Sequence, residues 1–164
     1  MTNSRTAVLV WIYRAVGAAV AIGLMELAAA LIGEPLVRMP FVTSIVLVSA
    51  LPESEAARPR AVIGGHMLST SCGLLCLHLL GSSEFASAVA VGCATLAMSA
   101  LRAIHPPAGI DALLVPAHHL PAIWMLKPVL IGAVALSLYA AVWRKGEKWL
   151  VSMASSAAGA ASQH

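Results

Sequence analysis

The feature that most constrains this chain is a histidine and two consecutive prolines inside one of its most hydrophobic regions. This motif runs from His105 to Gly109, between apolar runs at 85–101 and 110–116. Each proline removes a backbone donor and clashes with the preceding helical turn. Lipid offers no water to the freed carbonyls, so such a break is stable only inside protein or beside a cavity. Broken helices of this kind hold substrate in membrane transporters.

Composition indicates that the chain lies in a membrane. The sequence is 60% hydrophobic and 10% charged, with a mean hydropathy of +0.88, whereas soluble domains have about 25% charged residues. The basic residues lie at the ends of apolar segments and not in one patch, which argues against a nucleic-acid partner. We therefore predict an integral membrane protein, with a transmembrane domain over residues 1–150 and a disordered C-terminal tail over residues 151–164.

Six apolar runs predict an all-α fold, a polytopic transmembrane helical bundle of about six segments. Four of the runs are long enough to cross a bilayer, which takes about 20 residues. The second and fifth are too short, and each follows proline-containing sequence, so we predict two half-helices broken at prolines. The six runs are residues 7–33, 41–51, 61–81, 85–103, 107–116 and 122–143.

Basic residues favour six crossings over the alternative of four crossings with two re-entrant half-helices. With the N-terminus in the cytoplasm, six crossings keep Arg58, Arg60 and Arg102 inside, whereas four crossings move them outside. Positive residues prefer the cytoplasmic side. We expect a bacterial inner (plasma) membrane protein whose N- and C-termini are both cytoplasmic.

The two halves of the chain are similar in pattern. Residues 40–48 begin with a proline before a short apolar run, and residues 107–115 do the same. With three crossings in each half, these segments predict a 3+3 inverted repeat, in which short interrupted helices mark the transport site. Few identities support the alignment, and chance similarity is the alternative.

Three motifs carry a resemblance to a known family. They are the His105–Gly109 motif, the Arg58–His66 segment RPRAVIGGH, and the Phe41–Ser44 segment FVTS. Over about residues 35–145 the chain resembles HPP-family integral membrane proteins, which have been linked to nitrite transport. The resemblance implies a transporter of a small inorganic anion, with nitrite or nitrate as the first candidate.

Three positions depart from the pattern of that family. Val42 stands where glycine is common, Ala61 where asparagine is usual, and Asp111 where threonine is usual. The departures put the identity of the substrate in doubt. Asp111 matters most, because a carboxylate beside an anion path repels the substrate unless it is protonated or paired.

The candidate substrate site lies where the two half-helices begin. A helix N-terminus presents unpaired N–H groups and about half a positive charge, which suits a small anion. Pro107 fits a first helical turn, and Gly109 allows close approach of the backbone. Capping is the alternative role for the two hydroxyls, and bonding of freed carbonyls is the alternative for His105. The predicted substrate-binding residues are Thr43, Ser44, His66, His105, Pro107, Ala108 and Gly109.

Three further ionisable residues are candidates for gating or proton coupling: Glu26, Arg102 and Asp111. Ionisable groups in apolar segments are expensive and usually face the protein interior. Glu26 carries protons for symport under one interpretation and pairs with His66, Lys127 or Arg14 under the other. Arg102 either attracts anions or anchors the cytoplasmic side.

Other functions have weaker support in the sequence. We predict no enzyme, because H-E-x-x-H, G-x-S-x-G and glycine-rich phosphate motifs are absent, and we expect no cofactor and no metal site. A structural or regulatory membrane subunit is the alternative function, and an intramembrane enzyme with His105 and Asp111 as acid and base is a weaker one. The expected partners are the lipid bilayer, the anion and a second copy in a homodimer or higher homo-oligomer, because small residues line one face of the first segment. These residues are Gly17, Ala18, Ala19, Ala21 and Gly23.

Overall fold

The computed structural model describes residues 4–33 and 39–161, with side chains for residues 6–33 and 39–156. Within these ranges the chain is all-helical and contains no strand. The predicted fold class is confirmed, including a short helix at each of the two proline-led positions. The six α-helices are α1 Ser4–Ile32, α2 Val42–Ala50, α3 Pro59–Leu80, α4 Glu84–Ala100, α5 Gly109–Ala117 and α6 Ile131–Ala161.

Three helices are long and apolar enough to cross a membrane: Thr6–Ile32, Pro59–Leu80 and Ala122–Ser156. The last of these includes the irregular turns before α6, where the helix bends at Lys127. The apolar helix α4 has 17 residues, which is at the lower limit for a spanning helix. α2 and α5 have nine residues each, or about 14 Å, half of a bilayer core.

The helix α6 continues through most of the segment for which the sequence predicted disorder. It ends at Ala161, and residues 162–164 lie outside the described part. Alanine is the best helix former, and the alanine-rich sequence after Trp149 extends a helix that packing has already started. The proline-containing sequence before α2 falls largely on residues 34–38, which are also outside the described part.

The two short helices run in opposite directions. We call the end of the bundle where α1 begins the N-side. α2 ends on the N-side, because Arg14 of α1 donates to the Ala50 carbonyl at 3.2 Å. α5 ends on the opposite side, because Ser82, in the turn between α3 and α4, donates to the Pro116 carbonyl. The starts of α2 and α5 therefore meet inside the bundle.

The course of the chain agrees with the predicted inverted repeat. α1, α2 and α3 are long, short and long, and so are α4, α5 and α6. α3 and α4 are antiparallel, since Arg60 at the start of α3 donates to the Leu101 carbonyl after α4 at 2.9 Å. The second half thus begins on the side opposite to the first, and its half-helix points the opposite way.

α1 and α6 pack antiparallel through small and aromatic residues. Tyr139 donates to the Gly17 carbonyl at 2.7 Å, and Tyr13 donates to the Trp143 carbonyl at 3.2 Å. Gly17 and Ala21 are buried by these contacts within the chain. Part of the small-residue face that the sequence assigned to oligomer contacts is therefore used inside the subunit.

α5 packs closely against α3 where Gly73 of α3 leaves room for it. A Cβ added at Gly73 would lie 2.9 Å from the Cβ of Val115 and 3.2 Å from the backbone of Ala112. Both neighbours belong to the buried face of α5. Close approach of this kind is typical of small residues at helix contacts in membranes.

We predict that Gly73→Ala destabilises the protein by about 1–3 kcal/mol, because the added methyl group must push α5 away from α3. Gly92→Ala is the matched control, since a Cβ there meets nothing within 4 Å and alanine favours the helix. Thermal unfolding in detergent measures both variants. Equal melting temperatures for Gly73→Ala and the wild type would contradict the close packing of α3 and α5.

Candidate functional site

The start of α2 presents a polar side chain and backbone donors to the protein interior. Phe41 precedes the helix and provides no side-chain cap. The first described backbone bond into the helix runs from Ile45 N–H to the Phe41 carbonyl at 2.8 Å. The amides before Ile45 therefore have no partner within the helix, and Ser44 is buried in this first turn.

The start of α5 is built differently, because its prolines remove donors. Pro106 and Pro107 form a tight turn before the helix, and neither has an N–H group. The Ala108 N–H bonds to the His105 carbonyl at 2.9 Å. The Ala112 N–H donates a hydrogen bond to Ser69 Oγ of α3 at 3.1 Å. The start of α5 therefore has fewer unbonded amides than the sequence predicted for it.

Four side chains from α2, α3 and the α5 region form one continuous hydrogen-bonded chain, which we call the buried polar chain. Asp111 Oδ2 lies 2.6 Å from His66 Nδ1, and His66 Nε2 lies 3.0 Å from Ser44 Oγ. Ser44 Oγ also lies 2.9 Å from His105 Nε2. His105 Nδ1 lies 2.7 Å from the Ala56 carbonyl. The chain therefore connects the two half-helix starts through α3.

All four side chains of the buried polar chain are fully buried. The Phe41 ring covers His66 at a centroid distance of 4.9 Å. Gly65 allows His105 to approach α3, because a Cβ at Gly65 would lie 2.7 Å from the His105 Cβ. The structure is therefore a closed conformation in which the candidate site does not reach solvent.

Hydrogen-bond accounting gives the buried polar chain a direction. The Ala56 carbonyl only accepts, so His105 Nδ1 carries the hydrogen and, in neutral His105, Nε2 accepts from Ser44. Ser44 Oγ then accepts from His66 Nε2–H. One proton remains on the link between His66 Nδ1 and Asp111 Oδ2. From His66 Nε2 onwards, every donor in the buried polar chain points towards Ala56.

Asp111 is not a lone carboxylate in the site, because it is hydrogen-bonded to His66. Asp111 Oδ2 is bonded to His66, while Asp111 Oδ1 has no hydrogen-bond partner among the described residues. The pair of Asp111 and His66 shares one proton and has no net charge in either arrangement of that proton. A buried group of this kind need not repel an anion.

The remaining residues of the predicted substrate site lie at the edge of the buried polar chain or outside it. Thr43 is exposed on α2, one residue from buried Ser44. Pro107 is half-buried, and Ala108 is buried in an alanine-rich core between α3, α4 and α5. At Gly109 a Cβ would meet nothing within 4 Å, so no close backbone approach requires this glycine.

Two of the three gating candidates lie outside the buried polar chain. Glu26 is exposed on α1, and Arg102 is exposed after α4 with a positive φ of 52°. His66 and Arg14, two of the partners considered for Glu26, bind Asp111 and Glu147. Of the three candidates, only Asp111 belongs to the buried polar chain.

Sequence reasoning missed a second polar contact, at the N-side of the bundle. Arg14 forms two hydrogen bonds with Glu147, at 2.7 and 2.9 Å, and a third with the Ala50 carbonyl. Arg14 thereby joins α1, α6 and the end of α2. The available signal was an arginine inside an apolar helix, which requires a carboxylate or a carbonyl partner.

A metal centre has no support in the described part of the chain. There, no group of three or more histidine, cysteine, aspartate or glutamate side chains is arranged to hold an ion. The arrangement of Asp111, His66 and Ser44 can instead move protons or bind a ligand through histidine and hydroxyl donors.

We predict that His66→Leu destabilises the protein by roughly 3–5 kcal/mol, because it leaves Asp111 buried with neither oxygen bonded. Adding Asp111→Asn to this variant removes the ionisable group at nearly constant volume, so the double variant should be more stable than His66→Leu alone. Thermal unfolding of the three proteins in detergent tests this. Equal stability of the single and double variants would contradict the coupling of Asp111 and His66.

Comparisons with known proteins identify the family. The model of the family described as "HPP, transmembrane region" matches residues 3–150. A transmembrane protein of Dictyostelium discoideum is 35% identical over 78 residues, which are 45% of this chain and 25% of that protein. A second from the same organism is 31% identical over 110 residues, 62% of this chain and 39% of that protein.

The chain thus spans well under half the length of these curated relatives. No solved structure matches it. The family match covers nearly the whole chain, and the apolar helices agree with it. The chain belongs to the HPP family of integral membrane proteins.

Proposed function

We propose that this protein transports a small inorganic anion, with nitrite or nitrate as the first candidate. The observation that carries this proposal is the meeting of two opposed half-helix starts at the buried polar chain. The substrate site consists of Ser44, His66 and His105, together with the first amides of α2. Transporters with inverted repeats bind substrate where such interrupted helices meet.

The chemistry of this site suits an acceptor-only ligand such as nitrite. The start of α2 contributes about half a positive charge, and its first amides have no partner within the helix. Ser44 and the two histidines add polar hydrogens. The Asp111–His66 pair has no net charge while it shares one proton, so the net charge of the site is neutral to positive.

Transport requires the closed conformation to open towards each side in turn. The contact of Arg14 with Ala50 and Glu147 holds the end of α2 on the N-side. The bond from Ser82 to Pro116 holds the end of α5 on the opposite side. Release of one or the other would expose the buried polar chain to a single side of the membrane, which is the requirement for alternating access.

The predicted outcome for purified protein in lipid vesicles is saturable uptake of nitrite or nitrate. Gly65→Ala should lower the uptake rate about tenfold or more, because the new methyl group displaces His105 from Ser44. Gly92→Ala is the matched control and should transport at the wild-type rate, since it touches nothing. Uptake of labelled anion by vesicles of equal protein content measures all three.

A serine hydrolase is the second candidate, because Asp111, His66 and Ser44 are bonded in the order of a catalytic triad. Against this candidate, Ser44 is fully buried and also contacts the second imidazole, of His105. Covalent labelling of Ser44 by a fluorophosphonate, in protein that takes up neither anion, would favour the enzyme. Uptake without labelling favours the transporter. Equal uptake by Gly65→Ala and the wild type would contradict a role of His105 in the transport path.

We also propose that the N-side faces the cytoplasm of a bacterial inner membrane. The Arg14–Glu147 contact places the start of α1 and the later part of α6 on one side, and basic residues flank both. Reporter proteins fused to either end of this chain should therefore both be active as cytoplasmic fusions. A reporter that functions only in the periplasm would contradict this orientation.

The homodimer expected from the sequence also stays a proposal. Ala19 and Gly23 on α1 are exposed, so these two positions of the small-residue face can contact a second copy. Cross-linking in native membranes through cysteines introduced at positions 19 and 23 tests it, and the absence of any cross-linked dimer would contradict this interface.

A further inference from the structure

In the closed conformation, the buried polar chain uses all of its donors internally. His105 Nδ1–H is bonded to Ala56, the Ser44 hydroxyl to His105 Nε2, and His66 Nε2–H to Ser44. An anion such as nitrite only accepts hydrogen bonds. The closed, neutral chain therefore offers it no free side-chain donor, and some donor must be released before the anion binds.

Resting on the proposed anion transport, we propose that the protein is a proton–anion symporter and that His105 Nε2 takes up the coupling proton. One proton from the same side as the anion forms a bond to Nε2 of His105, and the ring becomes a cation. Both the proton and the anion leave on the opposite side. One proton and one anion thus cross together without net charge.

The Ser44 hydroxyl links proton uptake to anion binding. Once His105 Nε2 carries a hydrogen, it donates to Ser44 Oγ, and the Ser44 hydrogen must rotate away. The structure provides an alternative acceptor for this hydrogen, because Ser44 Oγ lies 3.3 Å from the Pro40 carbonyl. Pro40 lies just before α2, so the rotated hydroxyl points towards the half-helix start, where it can exchange this long bond for one to the anion.

The charge balance explains why the proton and the anion need each other. A protonated His105 alone places an unpaired positive charge in the membrane interior, which is costly. An anion alone at the start of α2 is also unpaired, since the Asp111–His66 pair is neutral overall. Together they cancel, so the closed loaded state has no net charge. This makes the doubly loaded form the favoured form for crossing.

Titratable groups on the neighbouring elements are outside the buried polar chain. Glu55 and Arg58 face each other at 3.5 Å in exposed positions, and exposed Arg60 is bonded to Leu101. Glu26 on α1 is exposed. Besides His105, the titratable members of the buried polar chain are Asp111 and His66. They share one proton already, and a further proton on Asp111 Oδ1, which is unpartnered among the described residues, would leave the Ser44 hydroxyl bonded to His105, whereas a proton on His105 Nε2 displaces that hydroxyl.

The test uses wild-type protein in vesicles with and without an inward proton gradient at zero membrane potential. Nitrate and nitrite are both used, because neutral nitrous acid crosses lipid by itself, and protein-free vesicles give that background. We expect the gradient to accumulate the anion about tenfold per unit of pH difference, with one proton entering per anion. A pH-sensitive dye inside the vesicles counts the protons.

Uptake that does not depend on the proton gradient, with no proton entry, would overturn the symport while leaving the proposed anion transport intact. The absence of any uptake above the protein-free background would overturn the proposed function itself, and the symport with it. The two failures are therefore distinguishable in one set of vesicles.

His105→Gln identifies the proton carrier. Glutamine keeps one donor and one acceptor but cannot take up a proton, so stimulation by the gradient should fall to about onefold. His78→Gln is the matched control, because His78 is exposed in the last turn of α3, and it should retain the wild-type stimulation. Full stimulation in His105→Gln would overturn the assignment to His105. If that variant does not fold, the proton count of the wild type still decides the symport.

Discussion

The structure depends on a constraint imposed by the bilayer: a backbone interrupted inside the membrane must find its hydrogen-bond partners within the protein. Both half-helices start in the interior, and a side chain of α3 contacts each start, the backbone in α5 and a hydroxyl in α2. Ser69 Oγ accepts a hydrogen bond from the Ala112 amide on α5, and His66 contacts the Ser44 hydroxyl on α2. α3 is therefore the central element that makes two short helices stable where neither could span alone.

The same contacts that stabilise the fold also define the candidate site. His66 contacts both half-helices, since one ring nitrogen faces Asp111 on α5 and the other faces Ser44 on α2. A change at either half-helix therefore alters the bond made by the other nitrogen. This is the physical basis for coupling a movement of α2 to a movement of α5, because one imidazole cannot satisfy both partners after either has moved.

Sequence predicted the helices well and their contacts less well. Prolines and hydropathy are local signals, so the two half-helices and the membership of Ser44, His66 and His105 in an interior site could be predicted. Adjacency in the sequence suggests a shared role for Thr43 and Ser44, but neighbouring helical residues point about 100° apart, and Thr43 is exposed. The bonds of Arg14 to Glu147, 133 positions away, depend on tertiary packing that no local pattern contains.

Asp111 illustrates how a departure from the family pattern acquires a physical role. In sequence it is an obstacle, because a lone carboxylate repels an anion. In the structure it fixes the orientation of His66, whose Nε2 then serves Ser44. Were a hydroxyl to replace this carboxyl group, it could donate to His66 Nδ1 but could not accept a second proton from it. The carboxyl group thus lets the Asp111–His66 link shift its proton from one partner to the other without a change in its net charge.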